Sequence, residues 1–152
     1  LFIGFLLNLF LTGAIALPGF VFPTHKLLPQ SFYTIQNSKR LGLWNKTIGL
    51  KYFKIALMSL FWGWKKNRKR YFNGTRSGIL NFVYQTKQSE FGHLASLLLI
   101  QLTSIMALIL GYSYVFVFAT IINLIGNGYP ILLQREHRSR LSRFIPKHTA
   151  TQ

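Results

Sequence analysis

The sequence predicts an all-α integral membrane protein with about three transmembrane helices and a basic interfacial or cytoplasmic segment. Three observations carry that expectation. Residues 1–22 hold no charged side chain, residues 94–133 hold none over 40 positions, and all 18 Lys and Arg fall outside these runs. Half of the residues are hydrophobic while the formal charge is +16, with only two acidic residues to offset it. A soluble domain balances its cations with carboxylates. This pairing instead points to nucleic acid or to the anionic face of a membrane, and the layout of the charge favours the membrane.

Residues 1–22 would form a helix of about 33 Å, enough to cross the hydrocarbon core. Pro18 and Pro23 are placed to end or kink it, and Pro29 adds a further break. Ala14, Ile15 and Ala16 have the small-x-small form of a cleavage site. No basic run precedes them, so a retained anchor is expected.

Residues 94–133 would make a single helix of about 60 Å, twice the requirement, so the run must fold back. Gly111, Tyr112 and Ser113 are the natural turn, which gives spans near 94–110 and 114–133. Thirteen Lys and Arg lie between Lys26 and Lys87, five lie between Arg135 and Lys147, and the turn has none. The positive-inside rule then puts both basic segments in the cytoplasm and the turn outside, with the amino end out and the carboxyl end in. The expected organisation is a first transmembrane helix at 1–22, a basic segment at 23–92, a hairpin at 93–133 and a basic tail at 134–152.

Within the basic segment, residues 55–64 are apolar and rich in Phe and Trp, with Lys51 and Lys54 before them and "KKNRKR" after. This pattern suits an interfacial helix with its cations on lipid phosphates; a buried helix of a small cytoplasmic domain is the alternative. "NGTRSG" reads as a turn, and "ILNFVYQTKQSEFGH" as a helix running directly into the second span. Beside three apolar spans, "KKNRKR" is better explained by anionic lipid than by nucleic acid. The absence of cysteine excludes disulfides, thiolate metal sites and thiol nucleophiles.

The two carboxylates frame the hairpin. Glu90 stands three residues before His93, and Glu136 directly precedes His137. Both ends of a hairpin that crosses twice lie at one membrane face, so Glu90 and His93 are expected near Gln134, Arg135, Arg138 and Arg140. On a helix Glu90 and His93 share a face, so the carboxylate can accept from one ring nitrogen and raise the basicity of the other. His93 is thereby a candidate general base with Glu90 behind it. Gln134, Arg135, Arg138 and Arg140 are candidates for an oxyanion or a donor's phosphates. The plain alternative is a Glu placed by a helix dipole and an interfacial His. A single metal on Glu90, His93 and His137 is a further option, but no metal is expected, and one Glu-x-x-His pair is too few for a di-iron site. His25 and His148 are expected in solvent. Asn123 and Asn127 are one turn apart, with Gln101 on the facing span and Lys87 near the mouth. They serve either helix adhesion or a polar groove for a headgroup, and Gly126, Gly128 and Pro130 loosen the helix there.

"QTKQSEFGH", a hairpin, and then "NGYPILLQREHRSRL" resemble the glycosyl-4,4'-diaponeurosporenoate acyltransferase family, small bacterial membrane proteins of carotenoid biosynthesis. The matching positions are Thr86, Lys87, Glu90 and His93, then Asn127, Pro130, Gln134, Arg135, Arg138, Arg140 and Leu141. "GLKYFK" is similar to a further segment, with Phe53 where the family usually has Trp, and Glu136-His137 replaces a usual Tyr-Asn. The likeness runs over about residues 41–144.

The resemblance implies an O-acyltransferase that moves a fatty acyl group onto a sugar hydroxyl of a glycosylated carotenoid or similar lipid glycoside. Acyl-CoA or acyl carrier protein would be the donor, with no bound cofactor. The implied setting is the bacterial inner membrane, with anionic lipids and the pigment glycoside as partners and no nucleic acid. The rival expectation is a non-catalytic basic subunit of a larger membrane complex that binds lipid or pigment; a carrier that binds without chemistry is a third.

Overall fold

The computed structural model describes residues 2–59 and 75–142. Every regular element among them is helical: α1 (Phe2–Ala16), α2 (Pro18–Val21), α3 (Gln30–Tyr33), α4 (Ser38–Thr47), α5 (Leu50–Leu57), α6 (Arg76–Ile109), α7 (Ser113–Asn123) and α8 (Tyr129–Leu141). A 3-10 turn covers Thr24–Leu27 and a π-helical turn covers Leu124–Gly128. The second half of the expected interfacial helix, the run "KKNRKR", the start of "NGTRSG", and residues 143–152 with His148 lie outside the described residues.

Among the described residues, two helices are long and apolar enough to cross a membrane, Ser77–Ile109 and the continuous Ser113–Leu141. At 33 and 29 residues they measure about 50 and 43 Å, more than the hydrocarbon thickness of about 30 Å. Their apolar side chains, Leu102 and Met106 on one and Tyr114 and Val115 on the other, are exposed rather than packed in a core. A core helix of a soluble protein shows the opposite. The segment expected as a first span is divided. α1 stops at Ala16 after 15 residues, about 22 Å, and Pro18 opens the separate α2, which ends ahead of Pro23.

The chain falls into two compact units, Leu1–Pro29 with Gln88–Ile131, and Gln30–Lys87 with Leu132–Gln152. In the first unit, α6 ends where the charge-free run was expected to turn. Gly111 takes φ +87°, Tyr112 N donates to Ala107 O at 2.9 Å and Gly111 N to Leu108 O at 3.0 Å. This is the paired bonding of a Schellman cap, and it needs the left-handed conformation that glycine adopts without strain. α7 then returns along α6, and α1 packs on α7 and on the π turn.

The π turn has a local cause. Pro130 offers no N–H to the carbonyl of Gly126, and its ring would crowd that carbonyl in an α-helix. Widening by one residue relieves the clash, and Tyr129 N bonds back to Leu124 O instead.

In the second unit, Asn37 caps α4 by accepting from Arg40 N at 2.9 Å. Gly49 at φ +70° turns the chain into α5, whose Leu50 is buried. α4 and α5 pack together.

Candidate functional site

In the first unit the hairpin is joined by polar bonds, each about one helical turn from the next. Gln101 Nε2 donates to Thr120 Oγ1 at 3.1 Å. Asn123 Nδ2 donates to the backbone oxygen of Leu97 at 2.9 Å. His93 Nδ1 lies 2.9 Å from Asn127 Oδ1. Asn123 and Asn127 are themselves linked, Asn127 Nδ2 donating to Asn123 Oδ1 at 2.9 Å. Both amides are fully buried, where an unpaired polar group would be costly. Thr12 of α1 touches Asn127 as well, 3.2 Å from Nδ2 and 3.4 Å from Oδ1.

These bonds have a fixed direction. A backbone carbonyl only accepts, so the group that Asn123 turns to Leu97 O must be its NH₂. Asn123 then presents oxygen to Asn127, which must answer with its own NH₂. The Asn127 oxygen is left facing His93, so Nδ1 carries the proton. The lone pair of the imidazole is thereby placed on Nε2, the form a general base needs.

Glu90 is fully buried on α6, one turn before His93 and well inside the helix rather than in its first turn. The Nδ1 bond of His93 goes to Asn127, a residue expected in the polar groove. His25 is not simply solvated, contrary to expectation. Its N–H and its Nδ1 both meet Gln88 Oε1 at 2.7 Å, while Gln88 Nε2 donates to Phe22 O at 2.8 Å. Gln88 thus fastens the segment after α2 to α6.

In the second unit the cations of α8 separate into two sets. Arg135 lies over the Phe32 ring, 5.0 Å from its centre, and Arg138 over Tyr33 at 5.6 Å. Phe32 and Tyr33 meet edge to face. The short α3 is therefore an aromatic seat for two guanidinium groups, and Arg138 is buried there. Lys87 Nζ donates to Gln30 Oε1 at 3.1 Å, the residue that opens α3. His137 meets the Phe82 ring edge to face.

The other set surrounds Glu136. Lys54 Nζ and Arg140 each approach Oε1 at 2.5 Å, and Asn45 Nδ2 donates to Oε2 at 3.3 Å. Burial works against the charged form, but the Lys54 bond and charge, helped by Arg140 and His137, hold the carboxyl below its ordinary pKa. Glu136 lies past the charge-free run, which ends at Leu133. No group of three or more His, Asp or Glu side chains among the described residues is placed to hold a metal ion.

A family model described as glycosyl-4,4'-diaponeurosporenoate acyltransferase matches residues 29–147, most of the 152-residue chain. The chain belongs to that family. No curated protein and no solved structure gives a significant match. The stretch matched by the acyltransferase family contains His93, Asn123, Asn127 and all four polar residues singled out on α8.

In this family member, sequence reasoning passed over Asn45, which holds Glu136, and Phe32 and Tyr33, which seat the arginines. Lys54, expected on lipid phosphates, holds Glu136 instead. A lone Asn in a basic segment gives no local signal. The two acidic residues of the whole chain were the available clue, since Glu136 had many cations to choose from.

Proposed function

We propose that the protein is a membrane acyltransferase that moves a fatty acyl group onto a sugar hydroxyl of a glycosylated carotenoid or similar lipid glycoside. Membership of the acyltransferase family supports the reaction class. The observation that carries the chemistry is the His93–Asn127 bond with its amide chain behind it. Two helices able to cross a membrane suit a substrate dissolved in lipid.

In the proposed reaction, Nε2 of His93 takes the proton of the sugar hydroxyl as its oxygen attacks the carbonyl carbon of an acyl thioester. The carbon–sulfur bond then breaks, and the thiolate recovers the proton from the imidazolium. Glu90, one turn away in a buried setting, favours that transient positive charge. The acyl donor is an acyl-CoA or acyl carrier protein; Arg138, buried on Tyr33, and Arg140, held by Glu136, are engaged within the second unit. Residues 1–22 would supply a third crossing, with the amino end outside, the carboxyl end inside and the bacterial inner membrane as the setting.

The test is lipid and pigment analysis of cells with and without this chain. An acylated glycoside that disappears when the chain is absent, while its unacylated precursor accumulates, is the expected result. Unchanged lipids and pigments would refute the assignment.

A further inference from the structure

The second unit contains a cavity of about 430 Å³ between α4, α5 and α8. Its volume lies in the range of small-molecule sites. Five cations line it, Lys39, Lys46, Lys51, Lys54 and Arg140, against one carboxylate, Glu136. Lys54 and Arg140 are taken up by Glu136. Lys39, Lys46 and Lys51 have no carboxylate partner among the described residues and are exposed. A concave surface lined by one sign of charge concentrates counter-ions.

A second observation points to a ligand rather than to a solvated basic face. Asn45 is 6% exposed and lines the same cavity. Its NH₂ is fixed on Glu136, which leaves its oxygen turned elsewhere, buried and with no hydrogen-bond partner. Buried acceptors are nearly always paired, so the Asn45 oxygen is open to a donor, which a ligand or a water can supply. Ser38 and Ser139 add hydroxyls at the rim.

We infer that this cavity binds a phosphate ester carrying a hydrogen-bond donor near its phosphate, with the lysines on the phosphate and the Asn45 oxygen on the donor. Two sources share that chemistry: a soluble handle such as coenzyme A, with its hydroxyls and amides, and a hydroxylated anionic lipid headgroup such as phosphatidylglycerol. The inference does not depend on acyl transfer, because binding is read with no acyl group present.

The test uses the full chain in lipid nanodiscs. One arm titrates coenzyme A calorimetrically into discs of phosphatidylcholine. The other measures, by native mass spectrometry, phosphatidylglycerol retained from mixed discs. The comparison proteins are Lys39→Gln/Lys46→Gln/Lys51→Gln, whose changes are all at exposed positions, and Asn45→Leu, whose charge is unaltered. The expected result is binding in at least one arm, weakened about tenfold or more by each variant; the arm that responds identifies the source. Absence of binding in both arms would overturn the inference. So would a triple-lysine protein or an Asn45→Leu protein that binds like the wild type, since diffuse attraction to anions would then suffice.

Discussion

His93 Nδ1 and Asn127 Oδ1 stand 2.9 Å apart across the hairpin, and the amide is anchored through Asn123 to the Leu97 carbonyl. The protonation site of the ring is therefore set by a backbone group a turn further along α6. The wild-type protein should show His93 as the Nδ1–H tautomer in ¹⁵N spectra. Asn127→Leu should lose that preference and lower kcat by about 10–100-fold with little change in KM, the usual scale for a group that orients another. An unchanged tautomer in Asn127→Leu would show that the amide does not set it.

Asn123 holds both the Leu97 carbonyl and Asn127, so its replacement is felt in stability and at the ring together. Asn123→Leu should destabilise the hairpin by about 1 kcal/mol, the scale of a hydrogen bond between membrane helices. Thermal unfolding in detergent measures the loss. The same variant should blur the His93 tautomer, whereas Gln101→Leu, which cuts a separate bond to Thr120, should affect stability alone.

The Glu136 cluster predicts a pH dependence. A carboxyl whose folded pKa is held down by Lys54 and Arg140 adds stability above its unfolded pKa and loses it as the pH falls through the folded value. The stability difference between wild type and Glu136→Gln should therefore be full at neutral pH and vanish on acidification below the ordinary carboxylate range. A difference that stayed constant with pH would mean that the Lys54 and Arg140 contacts contribute no charge-dependent stability.

Gly111 sits in the left-handed region at φ +87°, with open space where a Cβ would stand. Gly111→Ala should therefore cost about 1 kcal/mol through backbone strain alone. Gly126→Ala also meets no obstruction and carries no positive φ. It should be neutral or slightly stabilising in the same unfolding assay.

Much of the hairpin was legible in the sequence because its signals are local. Forty uncharged residues exceed one bilayer crossing, and Gly111 marks the only plausible turn between the two helices. The helical spacing of Asn123 and Asn127 showed that they share a face. What they bond to was hidden, because a backbone carbonyl such as that of Leu97 has no residue signature. The Asn127 contact to His93 needed the register of the hairpin, fixed by the Schellman cap, before it could be seen. The Glu136 cluster joins residues 82 and 91 positions away in the sequence, beyond any periodicity. Counting apolar residues overestimated the length of the first helix, since residues 1–22 are uniformly apolar but Pro18 starts a new helix. The pairing of Arg135 and Arg138 with aromatic rings was likewise invisible, because α3 is four residues long and carries no pattern.

In the proposed reaction the His93 imidazole takes the proton in acyl transfer to a lipid glycoside. Acylated glycoside formation should be measured in membranes containing wild type, His93→Ala or His93→Gln at matched protein levels. Removal of a general base predicts a fall of about 10²–10⁴-fold in both variants. Full transfer by His93→Ala would rule out the imidazole as the base.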